Sequence, residues 1–128
     1  MSDYEGSRAI DATPDAVWRL VADPQRLPEW VPTAQESHPA GGGVWLHGES
    51  HGHGYDMQSG FQADEQTRQL SWNSPRLPGY RGDLSVAEDG AGARVTVHVT
   101  VPDLPPDTAE EMNRGIAEAL DRIAHLVS

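Results

Sequence analysis

The spacing of apolar residues changes along this chain, and each change marks an element. Residues 4–11 read as a first strand. Thr13 then has the chemistry of a helix N-cap, with Pro14 at the first helical position and Asp15 at the positive end of the helix dipole. Val17, Leu20 and Val21 give that helix a buried side, with Trp18 beside it. Asp23-Pro24 ends it, because proline cannot continue the hydrogen-bond ladder and restricts the residue before it. Residues 26–30 fit one or two further turns before Pro32, with Trp30 expected at the surface.

From residue 33 to 101 the period becomes two. Strands are predicted over 33–38, 44–50, 55–63, 66–73, 80–87 and 94–101, separated by residues 39–43, a Gly- and His-rich link, Asp64-Glu65, residues 74–79 and residues 88–92. The clearest is the last, where Val95, Val97, Val99 and Val101 alternate with Thr96, His98 and Thr100. That alternation places His98 on the outward face. Residues 102–107 break the sheet and lead into a helix over 108–127. Met112, Ile116, Leu120, Ile123 and Val127 give that helix one apolar face. The order is strand, two helices, six strands, helix, and a single domain over 1–128 is expected.

Composition sharpens this picture in two places. The charge is −11, from 20 acidic and 9 basic residues. Such a surface repels a phosphate backbone and disfavours anionic membranes, so neither nucleic acid nor membrane insertion is expected. All nine basic residues are Arg, which reads as the codon bias of a GC-rich genome. Leu, Ile, Val and Phe number only 23, few for a folded domain of this charge. Strict patterning and four Trp argue for a folded chain with a thin core, the composition of a domain with a hollow interior. The absence of Cys excludes disulfides, thiolate metal sites and Cys nucleophiles. The opening MSDYEG lacks the basic-then-apolar build of a signal peptide, and no apolar run is long enough for a membrane span, so a cytoplasmic location is expected.

The segment IDATPDAVWRLVADPQRLPEWVP, the Leu70 and Trp72 pair and the final amphipathic helix resemble the helix-grip superfamily, also called SRPBCC or START-like. The residues that carry the resemblance are Ile10, Ala12, Pro14, Val17, Trp18, Leu20, Asp23 and Trp30. The resemblance covers residues 4–127 and implies an α+β fold: a curved seven-stranded antiparallel sheet around a long C-terminal helix, with two short helices after the first strand. Members include polyketide aromatase/cyclases, lipid carriers and a co-chaperone branch. It implies a small bacterial protein that binds or carries a hydrophobic or aromatic molecule between sheet and helix. A polyketide cyclase/aromatase-like enzyme and a protein–protein adaptor without ligand stand as alternatives. A monomer or homodimer is expected, with no cofactor.

Given that fold, alternation turns Tyr55, Met57, Ser59 and Phe61 toward the helix, with Leu70 and Trp72, and with Tyr80, Gly82, Leu84 and Val86. Over 44–50 either Val44 and Leu46 or Trp45 and His47 face inward. The ligand-contacting set expected from this is Trp30, Tyr55, Met57, Phe61, Trp72, Tyr80, Leu84, Met112 and Ile116. Tyr55 and Tyr80 are the catalytic candidates, since a phenol can hold a carbonyl or give a proton; core aromatics with solvated hydroxyls would look the same. Loops over 48–54, 74–79 and 102–106 are expected at the pocket mouth. His47, Glu49, His51 and His53 share one face if the strand is continuous, but their Gly-rich context reads as a solvated hairpin tip, and no metal is expected. Gly115 within the last helix either leaves room for a ligand or reflects a close helix–sheet contact or simple tolerance, the latter pair being preferred.

Overall fold

After its first strand the chain has to cross from one edge of a sheet to the other, and two short helices carry it there. The computed structural model describes residues 2–32, 34–50, 52–73, 79–101 and 108–127. In order these form β1 (Ser2–Ile10), α1 (Pro14–Val21), α2 (Leu27–Trp30), β2 (Ala34–Ala40), β3 (Gly43–Ser50), β4 (His53–Asp64), β5 (Gln69–Asn73), β6 (Arg81–Asp89), β7 (Gly92–Val101) and α3 (Thr108–Val127). The Thr13 hydroxyl accepts the Ala16 N–H at 3.2 Å, the cap expected of it. Asp15, in the first turn of α1, binds Arg68 at 2.7 Å, tying the helix start to the β4–β5 turn. The Arg68 hydrogen bond holds the Asp15 carboxyl below the usual carboxylate range.

The strands form one antiparallel sheet in the order β1-β7-β6-β5-β4-β3-β2. From β2 onward it is a meander, so each hairpin sets the next register, and β7 returns to pair with β1. The β2–β3 turn is Gly41-Gly42 with φ of 56° and 78°, the doubly left-handed geometry of a type I′ turn. β2 therefore runs through Pro39 to Ala40, two residues past the expected end. A proline is tolerated there because β2 is an edge strand. β5 starts at Gln69 rather than 66, because Asp64 Oδ1 accepts the Gln66 and Thr67 N–H groups and holds a turn.

The core is a single cluster. Val95, Val97, Val99 and Val101 of β7 meet Leu84 and Val86 of β6, Leu70 of β5, Val44 of β3, the inner side of α1, and Ile116, Leu120 and Ile123 of α3. His98 lies on the opposite face, 3.6 Å from Asp3 and 3.7 Å from Asp83, in agreement with alternation. Trp30 does not lie at the surface. It is 5 % exposed and belongs to the core with Leu27, because α2 packs against both β2 and α3. A one-turn helix has too few residues for its apolar pattern to show which side is buried.

α3 follows β1 along the sheet. Ile116 and Leu120 sit over Gly6, and Asp121 pairs with Arg8. A Cβ on Gly6 would fall 2.7 Å from Ile116 Cγ2, so this glycine is what lets the helix close onto the strand. Among the described residues α3 lies closest to β1, α1 and α2. On the concave side of β4 and β5, Ser59 and Leu70 are buried while Phe61 and Trp72 are half-buried.

Candidate ligand site at the open end of the grip

Two neighbouring rows of side chains cross the concave face. One is Leu70–Leu84–Val97–Gly6, matched strand to strand across β5, β6, β7 and β1. Its three side chains are buried beneath the helix and α1. The next row is Phe61–Trp72–Gly82–Val99–Tyr4. Here Gly82 and Val99 are buried, while Phe61, Trp72 and Tyr4 are half-buried against the margin of the core, as is Tyr80. Met112, one turn before Ile116 on α3, is half-buried in the same way.

Within the second row Trp72 crosses onto β6. A Cβ on Gly82 would land on Cε2, Cζ2 and Nε1 of the indole, so the ring lies directly over the glycine backbone. From there the indole N–H donates to the Tyr80 hydroxyl at 3.3 Å. Tyr80 itself precedes β6, which starts at Arg81 and not at 80 as expected. It still faces the concave side, positioned by its bond to Trp72. An open depression of about 350 Å³ is bordered by Gln62, Ser71, Asn73, Arg81 and Asp83 of the convex face as well as by Phe61, Trp72, Tyr80 and Gly82. A larger one, about 640 Å³, borders Gln62, Ala63, Gln66, Gln69, Leu70 and Asp83.

The expected contact residues thus fall into groups. Phe61, Trp72, Tyr80 and Met112 gather at the open end. Leu84 and Ile116 lie deeper, in the packed core, and Trp30 is buried at α2. The Trp30 indole nitrogen has no hydrogen-bond partner among the described residues. The backbone register puts positions 55 and 57 in the same set as Ser59 and Phe61, but the side chains of Tyr55 and Met57 lie outside the described residues. So do residues 74–78 and 102–107, which include most of the expected mouth loops. At Gly115 a Cβ would meet no described atom within 4 Å, so this glycine makes no close helix–sheet contact, and of the preferred expectation simple tolerance remains. Tyr4 was absent from the expected set, although its alternation with Gly6 in β1 points it inward.

The face of β3 is settled by burial. Val44 is 1 % exposed and points inward with Ser59, while Trp45 and His47 point outward. On the convex side Trp45 stacks on His38 with ring centroids 4.8 Å apart, and His47 Nδ1 lies 2.6 Å from Asp56 Oδ1. Position 53 pairs with position 50 across the hairpin and falls in the opposite set from His47 and Glu49. The turn therefore breaks the common face that a metal site would need. His51 and the His53 side chain lie outside the described residues, and no three metal-ligating groups converge among those described.

Comparison with known proteins places this geometry. The chain matches the family described as polyketide cyclase / dehydrase and lipid transport over residues 1–127, and it belongs to that family. No curated protein matches it in sequence. Its fold is that of the START-like, helix-grip proteins. A Bacillus cereus protein, XoxI, is similar with a TM-score of 0.80 at 19 % identity, over 99 % of this chain and 96 % of that one. A START superfamily protein from Mycobacterium smegmatis gives 0.78 at 14 % identity, over 98 % and 99 %. The Zhui aromatase/cyclase from a Streptomyces species gives 0.76 at 20 % identity, over 98 % and 93 %. Identities this low establish the shared fold. No helix among the described residues is long and apolar enough to cross a membrane.

Proposed function

We propose that this protein binds or carries a small, flat, largely apolar molecule between α3 and the concave face of β4, β5 and β6. The observation that carries this reading is the half-buried group of Phe61, Trp72 and Tyr80 at the margin of the core, with Met112 of α3 half-buried in the same way. Large aromatic surface left partly uncovered on a concave face is what a ligand would complete. Met112 and the open position at Gly115 supply the helix side of the space, and Leu84 and Ile116 its buried floor. The family description, which joins polyketide chemistry to lipid transport, supports a ligand of this kind.

A polyketide cyclase/aromatase-like activity is the second reading. It rests on the Tyr80 phenol in this row and on the likeness to the Zhui aromatase/cyclase. In that case the site would fold the substrate and supply a weak acid.

A thermal-shift screen of quinones, flavonoids, aromatic polyketides and fatty acids tests the binding reading. A ligand at a hundredfold excess over its Kd adds about 2.7 kcal/mol to the stability of the native state. For a domain of this size that moves Tm by roughly ten degrees. At least one class is expected to give a large, saturable shift. No shift from any class would favour an adaptor without ligand.

A further inference from the structure

We infer that Tyr80 is held as a hydrogen-bond donor, and that the site therefore selects flat ligands with a carbonyl or quinone oxygen over plain hydrocarbons and acyl chains. This rests on the binding reading above and adds the chemistry of the ligand. An indole N–H can only donate, so in the 3.3 Å contact with Trp72 the Tyr80 oxygen is the acceptor. The hydroxyl makes no other hydrogen bond among the described residues. Its own proton is therefore the part left to pair, and it needs an acceptor. Tyr80 is half-buried at the margin of the core, where an acceptor on a bound molecule would meet that proton.

Gly82 makes this arrangement possible. With any side chain there the indole could not lie over β6, and its N–H could not reach position 80. Glycine, indole and phenol thus act in series: the glycine seats the ring, the ring occupies the phenol's acceptor side, and the phenol's proton faces the ligand. Trp72 is the positioning residue and Tyr80 the one that touches the ligand. The same ring offers a surface for stacking, so an aromatic ligand with an oxygen at its rim satisfies both groups at once.

The test uses two probes of similar shape, menadione, which carries two carbonyl acceptors and no donor, and 2-methylnaphthalene, which carries neither. Calorimetric titration of the purified protein is expected to show menadione binding about fivefold more tightly, the worth of one neutral hydrogen bond. Tyr80→Phe is expected to remove that preference while leaving 2-methylnaphthalene affinity unchanged, which also shows the variant is folded. Trp72→Phe keeps an aromatic ring but frees the phenol to rotate, and is expected to reduce the preference. If both probes bind and Tyr80→Phe leaves their ratio unchanged, the binding reading stands and the donor role of Tyr80 is overturned. If neither probe binds the unmodified protein, the site itself is refuted and this inference with it.

Discussion

The two ends of the concave face use glycine for opposite purposes. At Gly6 the missing Cβ admits the helix: Ile116 and Leu120 fill the space, and the row beside it is closed by core packing. At Gly82 the missing Cβ admits a side chain of the sheet itself, the Trp72 indole. The lesson is that the grip is closed over the Leu70–Leu84–Val97–Gly6 row and looser over the Phe61–Trp72–Gly82 row. Stability belongs to the first row, and the proposed recognition to the second.

The largest expected effect separates these regions by truncation. Leu84, 0 % exposed in the closed row, should cost about 3 kcal/mol as Leu84→Ala, from lost burial plus the cavity left behind. Met112→Ala, at the half-buried margin, should cost about 1 kcal/mol. Chemical denaturation of both variants measures the contrast; equal losses would mean that the open end is packed like the rest of the core.

A smaller contrast comes from adding a methyl group to each side of the helix–sheet contact. Gly6→Ala should destabilise by about 1–2 kcal/mol, because Ile116 must move. Gly115→Ala should stabilise by about 0.5–1 kcal/mol, since a mid-helix glycine is replaced where a Cβ meets no described atom. Opposite signs in thermal unfolding support the two-region account. A loss at Gly115 would place the helix against the sheet there as well.

Much of this division was readable from sequence and some was not. The β7 alternation and the 108–127 helix were legible because each rests on a long run of residues at one period. Thr13 and Pro14 were legible because a cap is local chemistry. Trp30 was misplaced because one turn of helix carries no usable period. The faces of Trp45 and His47 stayed open because alternation alone has two solutions, and only pairing with β4 chooses between them. The Gly82, Trp72 and Tyr80 arrangement depends on contact across two strands and around a turn, which no local pattern encodes. A glycine directly opposite a tryptophan, once register is known, is the signal that would have found it.

The smallest expected effect is electrostatic and lies outside both regions. Arg68 lowers the Asp15 carboxyl, so the folded state releases that proton more readily than the unfolded chain. The resulting stability is present above the ordinary carboxylate range and is lost as pH falls through the lowered value. Asp15→Asn should flatten the acid limb of a stability–pH curve slightly, with little change in ligand binding. Both groups are partly exposed, which keeps the effect small. A large loss of binding in this variant would connect α1 to the site in a way the two-region division does not allow.

The four tryptophans provide the most direct test of the central claim, that the open row is the binding surface. Trp18 and Trp30 are buried in the closed region, Trp45 lies on the convex face and Trp72 in the open row. Each indole N–H gives its own signal in a ¹⁵N-correlated NMR spectrum. On titration with menadione the Trp72 signal should move progressively and saturably, while those of Trp45 and Trp18 remain in place. Movement confined to Trp45, or a spectrum in which menadione binds and Trp72 does not respond, would contradict the account.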